Sequence, residues 1–540
     1  MSSVGSGPEA DAPDGPQART VRNPVLPGCH PDPTVCRVGD DYYLATSSFE
    51  YVPGIPLFHS RDLVHWRPIG HAVDRPEQLS LAGVRSSEGL YAPTLRHHEG
   101  TFYLTSTLVG PNGSGPVGNF VVTAQDPAGP WSEPVWWEDE GIDPALFFDD
   151  DGRAWATGTR ESRSPQWDEQ AEIWVREMDR TTLRLVGPEH VVWRGALLGA
   201  AWAEAPRLLK VEGWYHLLAA EGGTEHHHAV SVARSTRVTG PYAGNRANPV
   251  LTHRHLGRTH PVMGVGHADL VELPDRTWWA VVLGTRPYGG LYENLGRETF
   301  LVPVTWEDGW PVFAPGVGQV RLVERAPSLP AHAWPEPSVR DSFAGGLGLV
   351  WNAVRGPAAA FAQPGPEGGL DVTLLPATLD GVRPAAFVGR RQQHVDVDVT
   401  ARLRFEPASA DEWFGLVVRQ SDDHHYLVVV AGAAMEGGPR RILVVRRHEG
   451  RRTVLLVAPA PDGAIELGLR VRGQEYQAVL VGEDGEDQHL VTLDGRMLDS
   501  TVADSFVGVW LGLYGTSNGM PSTTTAHVEW FEYAPVTPAP

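Results

Sequence analysis

The chain has 540 residues, 41% of them hydrophobic, too long for one ordinary domain and apolar enough for two or three cores. With 66 acidic residues against 44 basic ones, its formal charge of −22 argues against nucleic acid or an anionic membrane surface as partner. Gly and Pro are frequent, at 60 and 46, and the apolar runs are short and rich in Val, Leu, Trp and Tyr, so the expected class is all-β.

Residues 1–21 carry no apolar core and are expected as a flexible lead-in, neither secretory signal nor membrane span, which implies a cytoplasmic protein. Cys29 and Cys36 lack the spacing of a zinc or redox motif and read as idle thiols of a reducing compartment. From there one pattern recurs: "GDDYYLATSS", "EGTFYLTST", "DGRAWATGT", "EGWYHLLAAE" and "DRTWWAVVLGT" each set an acidic or Gly turn before an aromatic-rich strand. Aligned on Leu44, Leu104, Ala156, Leu217 and Ala280, the copies are 60, 52, 61 and 63 residues apart. A unit of that length with short strands and no helix predicts a five-bladed β-propeller over residues 22–325.

Thirteen positions before these anchors stand Tyr91, Asp143, Glu204 and His267, and twelve before the first stands Asp32. In a propeller the innermost strands line a central channel, so these five side chains are expected to converge at one mouth of it. Three carboxylates brought together cannot all ionise freely, because like charges raise at least one pKa. A protonated acid beside a carboxylate is what glycoside hydrolysis requires. About 6.5–9.5 Å between the two suits an inverting, water-activating pair and about 5–5.5 Å a retaining one. Glu221 competes with Glu204 for the acid's place; Asp149, Asp150 and Asp151 read as a solvated turn. Three adjacent imidazoles, His226 to His228, cannot easily share one ion, since successive strand residues point to opposite faces.

A proline-rich stretch, residues 326–338, reads as a linker. Beyond it, residues 339–536 offer strands such as "VDVDVTARLRF", "WFGLVVRQSDDHHYLVVV" and "FVGVWLGLYG" between Gly and Asp turns, which suggest a two-sheet β-sandwich. A sandwich face is as good an interface as a core, so an oligomer is possible.

"NPVLPGCHPDPTVCRVGDDYYLATSSFEYVPGIPLFHSRDLVHW", "EAPRLLKVEGWYHLLAAEGGTEHHHAVSVARS" and "LGRETFLVPVTWEDGWPVF" together resemble the glycoside hydrolase 43 β-xylosidases and α-L-arabinofuranosidases. The resemblance covers the chain after Arg22, and the C-terminal part is similar to the family's concanavalin-like domain. It implies an inverting exo-hydrolase that releases a terminal pentose from oligosaccharides, β-D-xylose preferred, with an arabinofuranosidase or a bifunctional enzyme as alternative. Carried over, Asp32 is the general base, Glu204 the general acid, and Asp143 the group that raises and orients the acid. Phe49, Tyr91, His267 and Arg297 are the implied sugar-binding residues, and a C-terminal loop could close the mouth. No cofactor is required, and a calcium ion near His267 is the one ion the resemblance allows. The chain departs from the family where "YAPT" stands for Trp-Ala-Pro-Asp and "EAPR" for Glu-Gly-Pro-His. A noncatalytic sugar-binding propeller and a retaining fructosidase-like propeller are the rival readings.

Overall fold

The computed structural model describes residues 19–110, 116–433, 435 and 438–536; most of the expected lead-in lies outside them. Five antiparallel sheets follow one another, each starting at an innermost strand: Thr34–Val38, Gly89–His98, Ile142–Phe148, Ala203–Val211 and Met263–Glu272. They form the five blades of a propeller. Four blades have four strands and the fourth blade has five.

The turn motifs explain the hairpins. Glu99-Gly100 and Glu212-Gly213 both put two successive residues at positive φ, the backbone of a type I′ turn that matches strand twist. Gly meets the second position because it has no Cβ to clash there.

The ring closes through a strap rather than a shared blade. Thr20–Arg22 pairs with Val323–Arg325, so this strand of the propeller begins two residues before the sequence-read boundary at residue 22. Asn23 Nδ2 then donates to the carbonyls of Leu301 and Arg321, each at 2.9 Å, and His30 N–H donates to Arg297 O at 2.9 Å. This strap fixes the segment that carries Asp32 against the fifth blade.

The C-terminal part is a sandwich of two eight-stranded sheets. One holds Val397–Arg404, Ala464–Arg472 and Thr525–Pro535 among its strands; the other holds Trp413–Arg419, His425–Ala431 and Trp510–Thr516. Leu416, Val428, Leu467, Leu469 and Leu511 fill the space between them. The second sheet is buried on both faces, because its outer face carries Phe387, Trp510 and Tyr514 against Phe49 and Tyr51 of the propeller. That double burial accounts for continuous apolar runs where a half-exposed sheet would alternate.

The boundary between the domains is not sequential. Tyr51–Val52, from inside the first blade, pairs with Asn352–Val354 and becomes the edge strand of the second sandwich sheet. Beside it, Arg419 and Glu50, both fully buried, form an ion pair at 3.0 Å, and Tyr51 stacks on Trp510 at 3.8 Å.

Candidate active site

Four of the five innermost strands begin with the same distortion. Pairing with the second strand slips between Tyr91 and Thr94, Ile142 and Ala145, Glu204 and Arg207, and Gly266 and Asp269. Inside each slip one residue is left-handed: Ala92, Asp143, Ala205 and His267, with Asp32 the counterpart in the first blade. A bulge of this kind re-aims a side chain. The register read from sequence is corrected here by one residue in two blades. Asp32, Asp143 and His267 are equivalent, whereas Tyr91 and Glu204 stand one position earlier, in the place of Ile142 and Gly266.

Asp32 is buried and densely held. Ser47 Oγ donates to its Oδ2 at 2.6 Å, Arg297 Nη1 donates to Oδ1 at 3.2 Å, and His267 Nδ1 lies 3.3 Å from Oδ1. Burial alone raises a carboxyl pKa, but Arg297, His267 and Ser47 outweigh it and hold Asp32 well below the usual carboxylate range.

Asp143 accepts the Ala205 N–H at 3.0 Å on Oδ2, and its own N–H donates to Thr107 Oγ1 at 3.1 Å. Neither Asp143 nor Glu204 forms an ion pair with a described residue. Burial raises Asp143 despite His267 and Arg207. Glu204 is driven well up by burial and by the charges of Asp143 and Asp32. The structure thus brings the three carboxylates into one electrostatic cluster that favours the ionised form of Asp32 and the protonated form of Glu204.

Arg297 links this cluster to the C-terminal domain. Its guanidinium lies 5.8 Å from the Phe49 ring and 5.5 Å from the Phe506 ring, and Nη2 donates to Phe506 O at 3.4 Å. Phe506 belongs to a loop of the sandwich, residues 500–507, pinned by Ser87: Ser505 Oγ lies 2.7 Å from Ser87 Oγ, and the Phe506 N–H donates to Ser87 Oγ at 3.0 Å. Tyr91 packs edge-on to Phe49 at 5.4 Å and to Phe506 at 6.2 Å, while its hydroxyl donates to Ser87 O. Phe49 is nearly buried beneath Tyr91 and Arg297, whereas Phe506 is 44% exposed and presents the open aromatic face. The sequence carried no mark for Phe506, since a Phe in a sandwich loop looks like any other.

The channel below is closed by charge. Arg207, fully buried, donates from Nη2 to Pro93 O at 3.2 Å and to His267 Nε2 at 3.1 Å. Asp269 holds Arg96 bidentately, at 2.9 and 3.1 Å, and accepts from Thr34 Oγ1 at 2.8 Å. These residues do not fit the calcium ion that the resemblance allows near His267: the imidazole Nε2 is taken by the Arg207 guanidinium, which repels a second cation. Among the described residues no group of three His, Cys, Asp or Glu could hold a metal.

The competing residues have other work. Glu221 accepts from Ala196 N–H at 2.7 Å, Leu197 N–H at 3.0 Å and Trp193 Nε1 at 3.2 Å, which commits it to a loop. Asp149 is not solvated as the sequence suggested; it is buried and accepts from Lys210 at 2.8 Å and Tyr215 at 2.6 Å, while Asp150 and Asp151 are exposed. His228 is buried with Nδ1 3.1 Å from Gly264 O, apart from exposed His227.

The profile of glycosyl hydrolases family 43 matches residues 21–311, and that of the β-xylosidase C-terminal concanavalin A-like domain matches residues 340–534. A non-reducing end alpha-L-arabinofuranosidase of Bacteroides ovatus is 39% identical over 537 residues, 95% of either chain. A xylosidase/arabinosidase of Butyrivibrio fibrisolvens is 38% identical, covering 95% of this chain and 98% of its own. The crystal structure of a xylan beta-1,4-xylosidase from Bacillus halodurans superposes with a TM-score of 0.89 at 33% identity, over 95% of this chain and all of that one.

Proposed function

The chain belongs to glycosyl hydrolases family 43, and from that premise we propose that it is an inverting exo-glycosidase that removes a terminal pentose from xylo-oligosaccharides. The observation that carries the site assignment is the asymmetry among the three carboxylates. Asp32 alone touches cationic or imidazole partners and is the ionised member; Glu204, raised by burial and by Asp143, is the protonated one. Asp32 takes a proton from water as the water attacks the anomeric carbon. Glu204 gives its proton to the departing glycosidic oxygen, and Asp143 keeps that proton on Glu204 until the oxygen develops charge. Turnover leaves Asp32 protonated and Glu204 ionised, and exchange with solvent restores both. Arg297 binds glycone hydroxyls, with Tyr91, Phe49 and His267 shaping the subsite. The Phe506 loop over the mouth supports release of one terminal sugar over cleavage within a chain.

β-D-xylose is the preferred glycone. α-L-arabinofuranose is the second reading, favoured by the name of the Bacteroides ovatus relative and by Tyr91, a smaller wall than the Trp of the family pattern. Buried, unpaired Cys29 and Cys36 suit a cytoplasmic enzyme acting on imported oligosaccharides.

Parallel turnover of aryl β-D-xyloside and aryl α-L-arabinofuranoside, with the anomer formed first read by proton NMR, tests this reading. Inversion is expected, with activity lost in Asp32→Ala and Glu204→Ala. Retention, or wild-type rates in those variants, overturns it.

A further inference from the structure

Arg207 stands where the family pattern has His, in "EAPR", and a second buried guanidinium in this channel needs a reason. Neutralising Asp269 is not enough, since Arg96 already does so bidentately at 2.9 and 3.1 Å. Arg207 Nε comes only within 3.9 Å of Asp269 Oδ2 and has no hydrogen-bond partner. Its close contacts are elsewhere: Pro206 O at 3.1 Å, Pro93 O at 3.2 Å and His267 Nε2 at 3.1 Å. A guanidinium can only donate, so the Nε2 it meets must offer a lone pair. The ring proton then sits on Nδ1, which lies 3.3 Å from Asp32 Oδ1. In the other tautomer a lone pair would face the carboxylate and an N–H would face the guanidinium, and both contacts would repel.

We propose that Arg207 is a positioning residue: it locks the His267 ring in the tautomer that presents Nδ1–H to Asp32, doing with a built-in guanidinium what a channel cation would do. This rests on the reading of Asp32 as the base. The lock joins three blades, because Arg207 starts from the fourth, reaches a carbonyl of the second and holds an imidazole of the fifth. Removing it frees the ring to turn or change tautomer and leaves Asp32 without one of its three side-chain donors.

Nitrogen-15 NMR of histidine-labelled wild-type enzyme, with the signal assigned by its loss in His267→Asn, reads the tautomer directly and needs no Arg207 variant to fold. A protonated Nδ1 with a lone pair on Nε2 is expected; a protonated Nε2 overturns the proposal. Arg207→Met is expected to lower kcat by about 10- to 100-fold, as when the outer partner that orients a functional histidine is lost. KM should stay within about threefold, since uniform binding is untouched. Arg207→Lys should recover part of kcat. In the His267→Asn background Arg207→Met should cost no more than about twofold, because residues acting through one another are not additive. Unchanged kcat in a folded Arg207→Met protein, or fully additive losses, overturns the proposal. Wild-type activity should be indifferent to EDTA and to added calcium; inactivation by EDTA reversed by calcium would place a metal where we place the guanidinium. If Asp32→Ala keeps wild-type turnover, the assignment of the base fails, while the tautomer measurement still judges the lock by itself.

Discussion

Asp32, Asp143 and His267 occupy left-handed backbone, at φ 57°, 57° and 47°, where a non-glycine residue is strained by about 1–2 kcal/mol. The strain persists because strands on both sides over-determine it, and it turns three side chains into the mouth. The carboxylates there also set opposite pH dependences of stability. Asp32 is depressed in the folded state, so its contribution is present above its unfolded pKa and is lost as pH falls through the folded value. Glu204 is raised: the folded protein retains a proton that the unfolded chain has released, so stability falls as pH climbs above the ordinary glutamate range. Glu204→Gln removes that penalty. The variant should be inactive yet melt higher than wild type at pH 8 and no higher at pH 4, by calorimetry; equal melting temperatures at pH 8 would contradict a protonated Glu204. Asp32→Asn should lower kcat/KM by about 10²- to 10⁴-fold, the range for loss of a general base, on aryl pentosides.

At the scale of elements, the "EG" turns and aromatic strands were legible because turn chemistry and period-2 burial act locally. The bulge was not, because a two-versus-one pairing is a relation between strands that neither strand states alone. Tyr91 and Glu204 therefore align one residue out from sequence, although Asp32, Asp143 and Glu204 still fall in one cluster. The loop at 500–507 illustrates the same limit. Its Phe506 reaches the mouth only because Ser87 and Arg297 hold it there. Phe506→Ala should raise KM for aryl pentosides by about tenfold, equivalent to roughly 1.4 kcal/mol, with the melting temperature little changed. An unaltered KM would mean that the loop does not touch substrate.

For the whole molecule, the two domains are tied together by buried charge that links their interface to the mouth. Glu50 holds Arg419 at 3.0 Å and accepts the Ser87 N–H at 3.1 Å, and Ser87 in turn pins the Phe506 loop. Glu50→Gln breaks a buried ion pair and should cost about 3–5 kcal/mol, which denaturant unfolding would measure, and should also raise KM. A stability loss without any change in KM would separate the interface from the site. Sequence by itself determined the all-β class, the five-fold repeat, the sandwich and the grouping of Asp32, Asp143 and Glu204, because strand patterning, turn chemistry and repeat spacing are written along the chain; Arg297 was implied by the family resemblance alone. Only the tertiary structure decided that Tyr51–Val52 crosses into the sandwich, that Phe506 roofs the site and that Arg207 meets His267. Those contacts join residues from 60 to more than 400 positions apart, and their energies come from burial and charge that exist only once the blades and sheets have packed.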